Sequence, residues 1–224
     1  MKNLILLFFC FPLLAFAQEE YKATEGEHTL ELQLTPIGNN PININGIRFR
    51  KFLSDATTFR MNAFLGFNSN TQIKQQADDA INTPELTIKS AVLTLNVKPG
   101  FEKHLAVTER LSPYFGGEVD FALQQSSGKE QFENTNGDVF ETNARNQSGY
   151  FRIGLNAIAG LDYYVAKKLY LGTEIGFGFS YTGLSDLQFE SDELGFQEPD
   201  PIERGGSFNL GPNVNAQIRL GYAF

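Results

Sequence analysis

Cysteine is almost missing from this chain of 224 residues: it has one, Cys10, together with no tryptophan, two methionines and two histidines. The single cysteine lies inside the apolar run from Leu4 to Leu14, behind Lys2 and ahead of Ala15-Phe16-Ala17. A basic residue, an apolar stretch and a small-x-small site mark residues 1–17 as a secretory signal peptide and leave 18–224 as one domain. Cleavage before Gln18 removes Cys10, which excludes disulfides, thiol chemistry and thiolate metal ligands from the mature chain. The bulky Phe9 before Cys10 argues against a lipid anchor. Past the signal no long uncharged apolar run exists, which excludes a transmembrane helix. Basic residues are also scarce. The mature chain carries 17 against 26 acidic ones, a net charge near −9, which disfavours nucleic acid and anionic headgroups as partners. There is no internal repeat or linker, and the mean hydropathy of −0.23 suits a soluble protein and a β-barrel equally.

What the chain does have is alternation. Side chains on a strand point to opposite faces in turn, so a period of two reports a two-faced strand. Eight segments carry it: Thr29 to Thr35, Gly46 to Phe52, Thr58 to Asn68, Thr87 to Lys98, Tyr114 to Gln125, Gly149 to Tyr164, Leu169 to Tyr181, and the C-terminal stretch from Asn209 to Phe224. In the third, Phe59, Met61, Ala63, Leu65 and Phe67 oppose Arg60 and Asn62; in the sixth, Phe151, Ile153 and Leu155 oppose Arg152 and Asn156. Several segments exceed the roughly 9–11 residues that cross a bilayer as a tilted strand. Connections alternate in length. Leu53 to Thr57, Pro99 to Pro113 and Val165 to Lys168 are expected as turns at one end, and Ser69 to Leu86, Ser126 to Ser148 and Thr182 to Gly206 as long polar loops at the other. Pro36 to Asn45 is the shortest connection at the loop end. Closing the sheet removes lipid-exposed strand edges. Tyr114, Tyr150, Tyr163, Tyr164, Tyr170, Tyr181, Tyr222 and Phe224 fall near strand ends, where interfacial aromatic girdles belong.

With this signal peptide, the segment Gly46-Ile47-Arg48-Phe49-Arg50-Lys51-Phe52-Leu53, the run Arg110-Leu111-Ser112-Pro113-Tyr114-Phe115-Gly116-Gly117-Glu118 and the end Leu220-Gly221-Tyr222-Ala223-Phe224, the chain resembles the small outer-membrane β-barrels of Gram-negative bacteria, of the OmpA-like and OmpX-like eight-stranded kind. The resemblance implies an all-β, antiparallel up-and-down transmembrane barrel of eight strands in the cell outer membrane, with both termini periplasmic. It implies outer-membrane lipid and lipopolysaccharide as surroundings, and a monomer. It also implies that the barrel-assembly machinery reads Leu220, Tyr222 and Phe224 as an assembly signal during insertion. Family members share architecture more than activity, so fold does not settle function.

An eight-stranded interior is just wide enough for side chains to fill. The ionisable residues on the polar faces are the acids Glu31, Glu118, Asp120, Asp162 and Glu174 and the bases Arg48, Arg50, Arg60, Arg152 and Arg219. An unpaired buried charge costs several kcal/mol, so these ten are expected to pair into a structural plug, with a narrow pore for ions or small solutes as the alternative. The glycines of the seventh segment, with Gly154 and Gly160, are expected to make room for them. A lipid A-modifying enzyme is the third reading. It is disfavoured because His28 precedes the first strand and His104 falls in an expected periplasmic turn, both as solvated turn residues, and because no Ser-His-acid cluster or metal-ligand spacing emerges. No cofactor is expected. Gly176-Phe177-Gly178 lies within a strand and is not a phosphate loop. The last long loop carries Asp186, Glu190, Asp192, Glu193, Glu198, Asp200 and Glu203 against Arg204, with Phe189, Leu194, Phe196 and Ile202 interspersed. It is the candidate contact site for an unidentified surface ligand, or for divalent cations bridging lipopolysaccharide phosphates. A soluble barrel of the lipocalin kind is the rival fold; it would put polar residues outside and an apolar lumen within. The sequence therefore points to a non-enzymatic outer-membrane barrel with a salt-bridged lumen and acidic external loops.

Overall fold

The alternation is realised inside out. In the C-terminal strand the apolar Ile218, Leu220 and Tyr222 are exposed while Arg219, Gly221 and Ala223 between them are buried. The same inversion runs through Leu30 and Leu32 against Glu31, and through Phe151, Ile153 and Leu155 against their inward neighbours. A wall that is greasy outside and charged inside needs lipid as its solvent, which rules out the lipocalin-like alternative. The computed structural model describes residues 21–34, 44–75, 86–105, 108–133, 138–193, 195–212 and 218–224. The signal peptide expected at 1–17 lies outside these.

The described strands are β1 (His28–Leu34), β2 (Ile44–Ser54), β3 (Thr57–Gln75), β4 (Leu86–His104), β5 (Leu111–Glu133), β6 (Val139–Arg145), β7 (Tyr150–Ala166), β8 (Leu169–Leu184), β9 (Gln188–Ser191), β10 (Gly206–Pro212) and β11 (Ile218–Ala223). Eight of them close a ring of antiparallel neighbours in the order β1, β2, β3, β4, β5, β7, β8, β11, and β11 returns to β1 with Thr29 opposite Ala223 and Leu34 opposite Ile218. β10 prolongs the eighth wall on β8, from Gly206 opposite Gly183 to Pro212 opposite Phe177. Along β3 the outward apolar stretch runs from Phe59 to Phe67 before Ser69 and Thr71 replace it, close to the roughly 9–11 residues a tilted strand needs.

Three expectations change. The stretch Pro99 to Pro113 is not one long turn: β4 continues to His104 and β5 starts at Leu111. Pro99 is tolerated because the β4–β5 ladder passes from Val97 opposite Phe121 to Gly100 opposite Glu118 and needs no N–H from Pro99. The long polar connections are largely strand as well. β3 and β4 pair as far as Gln75 opposite Leu86, the upper part of β5 pairs with β6, and β6 pairs with β9, so a small sheet stands on the loop end. Polar residues alternate there on both faces, which hides the strand period from a hydrophobicity reading. Arg204 ties this region down by donating to the carbonyls of Ser185, Asn146, Gln147 and Gly149. Of the interspersed apolar residues, Phe189 is half-buried and Phe196 and Ile202 are exposed; Leu194 lies outside the described residues.

The aromatic girdle is thinner than the sequence implies. Tyr163, Tyr181, Tyr222 and Phe224 do face outward, but Tyr114, Tyr164 and Tyr170 are buried inside the barrel and Tyr150 lines its interior. At the end where Tyr21 and Phe224 lie, residues 21–27 lie against the short turns. Ala23 packs with Phe52 and Ala223, the Arg110 guanidinium stacks on and donates to Tyr21, and Lys168 Nζ donates to Glu27 at 2.8 Å.

Candidate functional site: a charged plug beneath a polar vestibule

Every wall of the ring sends polar side chains to the interior of the half near the short turns. β1 contributes Glu31; β2 contributes Arg48 and Arg50; β3 contributes Arg60 and Asn62; β4 contributes Glu102 and His104. β5 adds Ser112, Tyr114 and Glu118; β7 adds Asp162; β8 adds Tyr170 and Glu174; β11 adds Arg219. The four guanidiniums are at most 1% exposed. Burial on that scale is tolerable only with close opposite charge.

That charge is present. Arg50 is the hub, with Nε 2.7 Å from Glu31 and 3.2 Å from Glu102, and Nη1 donating to Asp162 at 2.6 Å. Arg219 donates to Glu31 and to Asp162, each at 2.9 Å. Arg60 donates to Glu102 at 2.8 Å, lies 3.0 Å from Glu118 and forks onto Glu174 at 2.7 and 3.0 Å. Arg48 forks onto Glu174 from the other side at 3.1 and 2.9 Å. Such two-point Arg–carboxylate pairs fix geometry as well as charge. Neutral groups finish the network. Asn62 accepts from Arg48 Nε at 2.6 Å and donates to Glu118 at 3.0 Å. Tyr114 donates to Glu174 at 2.5 Å and Tyr170 to Glu31 at 2.9 Å. Arg50 also lies over the rings of Tyr114 and Tyr170. Room for this comes from missing side chains: a Cβ on Gly172 would strike Arg219 and Asp162, and one on Gly221 would strike Tyr170.

Above the plug, toward the loop end, the lumen opens into a polar cavity of about 280 Å³. Its walls include Thr94, Asn96, Lys98, Tyr150 and Arg152, and Arg48, Glu118 and Glu174 form its floor. Here Asp120 faces Arg152 at 3.1 Å and Lys98 at 4.0 Å.

All ten ionisable residues chosen from the polar faces therefore point inward. Eight join one continuous network, while Asp120 and Arg152 form a separate, wetter pair. Glu102, Tyr114, Tyr170 and Asn62 belong to the network as well, beyond the ionisable residues the polar faces pointed to. Parity would have found Glu102, because Asn96, Lys98, Gly100, Glu102 and His104 keep one face straight through Pro99.

The same displacement corrects the histidine expectation. His104 is buried on β4, and its Nδ1 lies 2.9 Å from Ser112 Oγ with its Nε2 3.1 Å from Glu102. A Ser-His-acid cluster is thus present after all. Its residues line neither the vestibule nor the apolar outer groove over β4, β5 and β7, and its acid is held by Arg50 and Arg60. His28, the first residue of β1, stacks on Phe224 and lies tilted against Phe49. Among the described residues no group of His, Cys, Asp and Glu has the arrangement of a metal site.

Comparison with solved structures brings up outer-membrane barrels. Ail, the attachment invasion locus protein of Yersinia pestis, is 14% identical over 90% of this chain and 100% of its own, with a TM-score of 0.29. The outer membrane protein AlkL is 12% identical over 93% and 95%, with a TM-score of 0.38. CarO2 of Acinetobacter baumannii is 10% identical over 88% and 97%, with a TM-score of 0.34. No curated protein sequence matches significantly. A family model does match, over residues 33–191, from the last two residues of β1 to the end of β9. On that match, and with a ring of eight strands that is apolar outside and charged within, the chain belongs to the Putative OmpA-OmpF-like porin family.

Proposed function

We propose that the protein is a non-enzymatic resident of the outer membrane whose lumen is closed by the Arg–carboxylate plug, with its termini and short turns in the periplasm and its work done at the loop end. The observation that carries this is the set of four guanidiniums, at most 1% exposed, tied across the lumen to carboxylates from other walls. An ion crossing that layer would have to separate buried, mutually hydrogen-bonded charges, at a cost of several kcal/mol per pair. The small sheet of β5, β6 and β9 and the acidic stretch from Asp186 to Glu203 offer a structured surface for adhesion-like contacts. Leu220, Tyr222 and Phe224 face lipid in β11 and its end, as an insertion signal for the barrel-assembly machinery would require. Outer-membrane lipid and lipopolysaccharide surround the apolar belt, and the barrel acts as a monomer.

The vestibule favours a second reading, a narrow passive pore, because water-sized space reaches as far as Glu174, whose side chain is 14% exposed. Proteoliposomes separate the two. Vesicles carrying the refolded chain and loaded with potassium should hold their gradient as protein-free vesicles do; rapid loss, saturating with protein content, would establish the pore.

A further inference from the structure

We infer that the vestibule contains an anion site between Lys98 and Arg152, shaped for the single carboxylate or phosphate head of a small solute. The two cations reach in from β4 and β7 on either side of Asp120 of β5, each with roughly a third of its side chain exposed. Both approach the same atom: Arg152 Nε stands 3.1 Å and Lys98 Nζ 4.0 Å from Asp120 Oδ2. Within this group one carboxylate thus answers two cations.

The plug beneath holds one acid more than its bases, Glu31, Glu102, Glu118, Asp162 and Glu174 against Arg48, Arg50, Arg60 and Arg219, but the two acids on the vestibule floor are already engaged there. Glu118 is engaged by Arg60 and Asn62, and Glu174 by Arg48, Arg60 and Tyr114. The pairing with Asp120 is itself loose: Arg152 Nε lacks an aligned hydrogen bond, while Asn96 donates to the other carboxylate oxygen at 2.5 Å. Among the described residues the two Nη atoms of Arg152 have no hydrogen-bond partner. An idle guanidinium fork matches a carboxylate or phosphate in two-point geometry, and the enclosing walls strengthen its pull relative to open water. At about 30 Å³ per water, a cavity of about 280 Å³ admits a small organic acid and excludes a polymer. Because the site lies above the plug, it does not depend on whether the plug conducts.

The test is a nuclear magnetic resonance titration of the refolded, ¹⁵N-labelled mature chain in detergent, with sodium acetate and sodium phosphate as probes and acetamide as the neutral control. At least one anion should give saturable shifts confined to the amides around Asn96, Lys98, Phe121 and Arg152 and to the Arg152 Nε signal, and acetamide should give none. Lys98→Gln combined with Arg152→Gln should weaken binding by about tenfold or more. Asp120→Asn, which removes the competing carboxylate, should tighten it, and this second variant keeps the test decisive if the first does not refold. Shifts that grow linearly with salt, that acetamide reproduces, or that survive in the double variant would overturn the site, as would unchanged or weaker binding in Asp120→Asn.

Discussion

Replacing Arg50 with Met removes the hub charge while keeping much of its length. In the wild type, Glu31, Glu102 and Asp162 converge on this guanidinium within 3.2 Å. Without it, Glu31 and Asp162 share Arg219, and Glu102 keeps Arg60 and His104. Like charges about 5 Å apart repel by roughly 3 kcal/mol at an effective dielectric constant of about 20. Removing one member of a buried ion pair typically costs about 3–5 kcal/mol. The two routes agree, so Arg50→Met is expected to lose about 3–5 kcal/mol in urea unfolding from lipid vesicles, followed by circular dichroism. Arg50→Lys, which restores the charge but not the fork, should fall between the two. Combining Arg50→Met with Asp162→Asn should cost about 1–3 kcal/mol less than the sum of the single changes. A loss below about 1 kcal/mol for Arg50→Met, or strict additivity, would refute the hub.

The other walls of the plug give sharper phenotypes. Glu174→Ala removes the acid that both Arg48 and Arg60 fork onto and that floors the vestibule, and proteoliposomes carrying it should lose a potassium gradient that wild-type vesicles retain. Gly172→Val places side-chain atoms where Arg219 and Asp162 lie, so the fast-migrating band of unboiled gel samples should vanish. At the rim, burial raises the Glu27 carboxyl, but Lys168 at 2.8 Å outweighs this and holds it below the ordinary value of 4.5. A depressed carboxyl stabilises the fold above its ordinary range and loses that contribution as pH falls through and below 4.5. Lys168→Ala should therefore cost a few tenths to about 1 kcal/mol at neutral pH, and the gap to wild type should close in acid.

Period-two alternation made the eight walls legible, because lipid outside and paired charge inside impose opposite chemistry on neighbouring residues. It also assigned Glu31, Arg48 and Arg60 to the polar, inward faces of their strands. It failed where chemistry stops alternating. Beyond the bilayer both faces of β3, β5 and β6 meet water, so their polar pairs read as loop. Near Pro99 a residue that usually ends strands masked a continuing one, and hid Glu102 and His104 with it. The tyrosines misled for a different reason. A strand end is close both to the lipid interface and to the plug, and only the parity of Tyr114, Tyr164 and Tyr170 separates the two. The apposition of Ser112, His104 and Glu102 depends on β4–β5 register, which spacing alone does not encode.

The central claim is that buried charge pairs seal the lumen. Current through a planar bilayer containing the refolded mature chain, recorded with and without applied voltage beside the Glu174→Ala variant, tests it most directly. Silence from the wild type with small steps from the variant is the expected result; reproducible steps from the wild type at low voltage would contradict the seal.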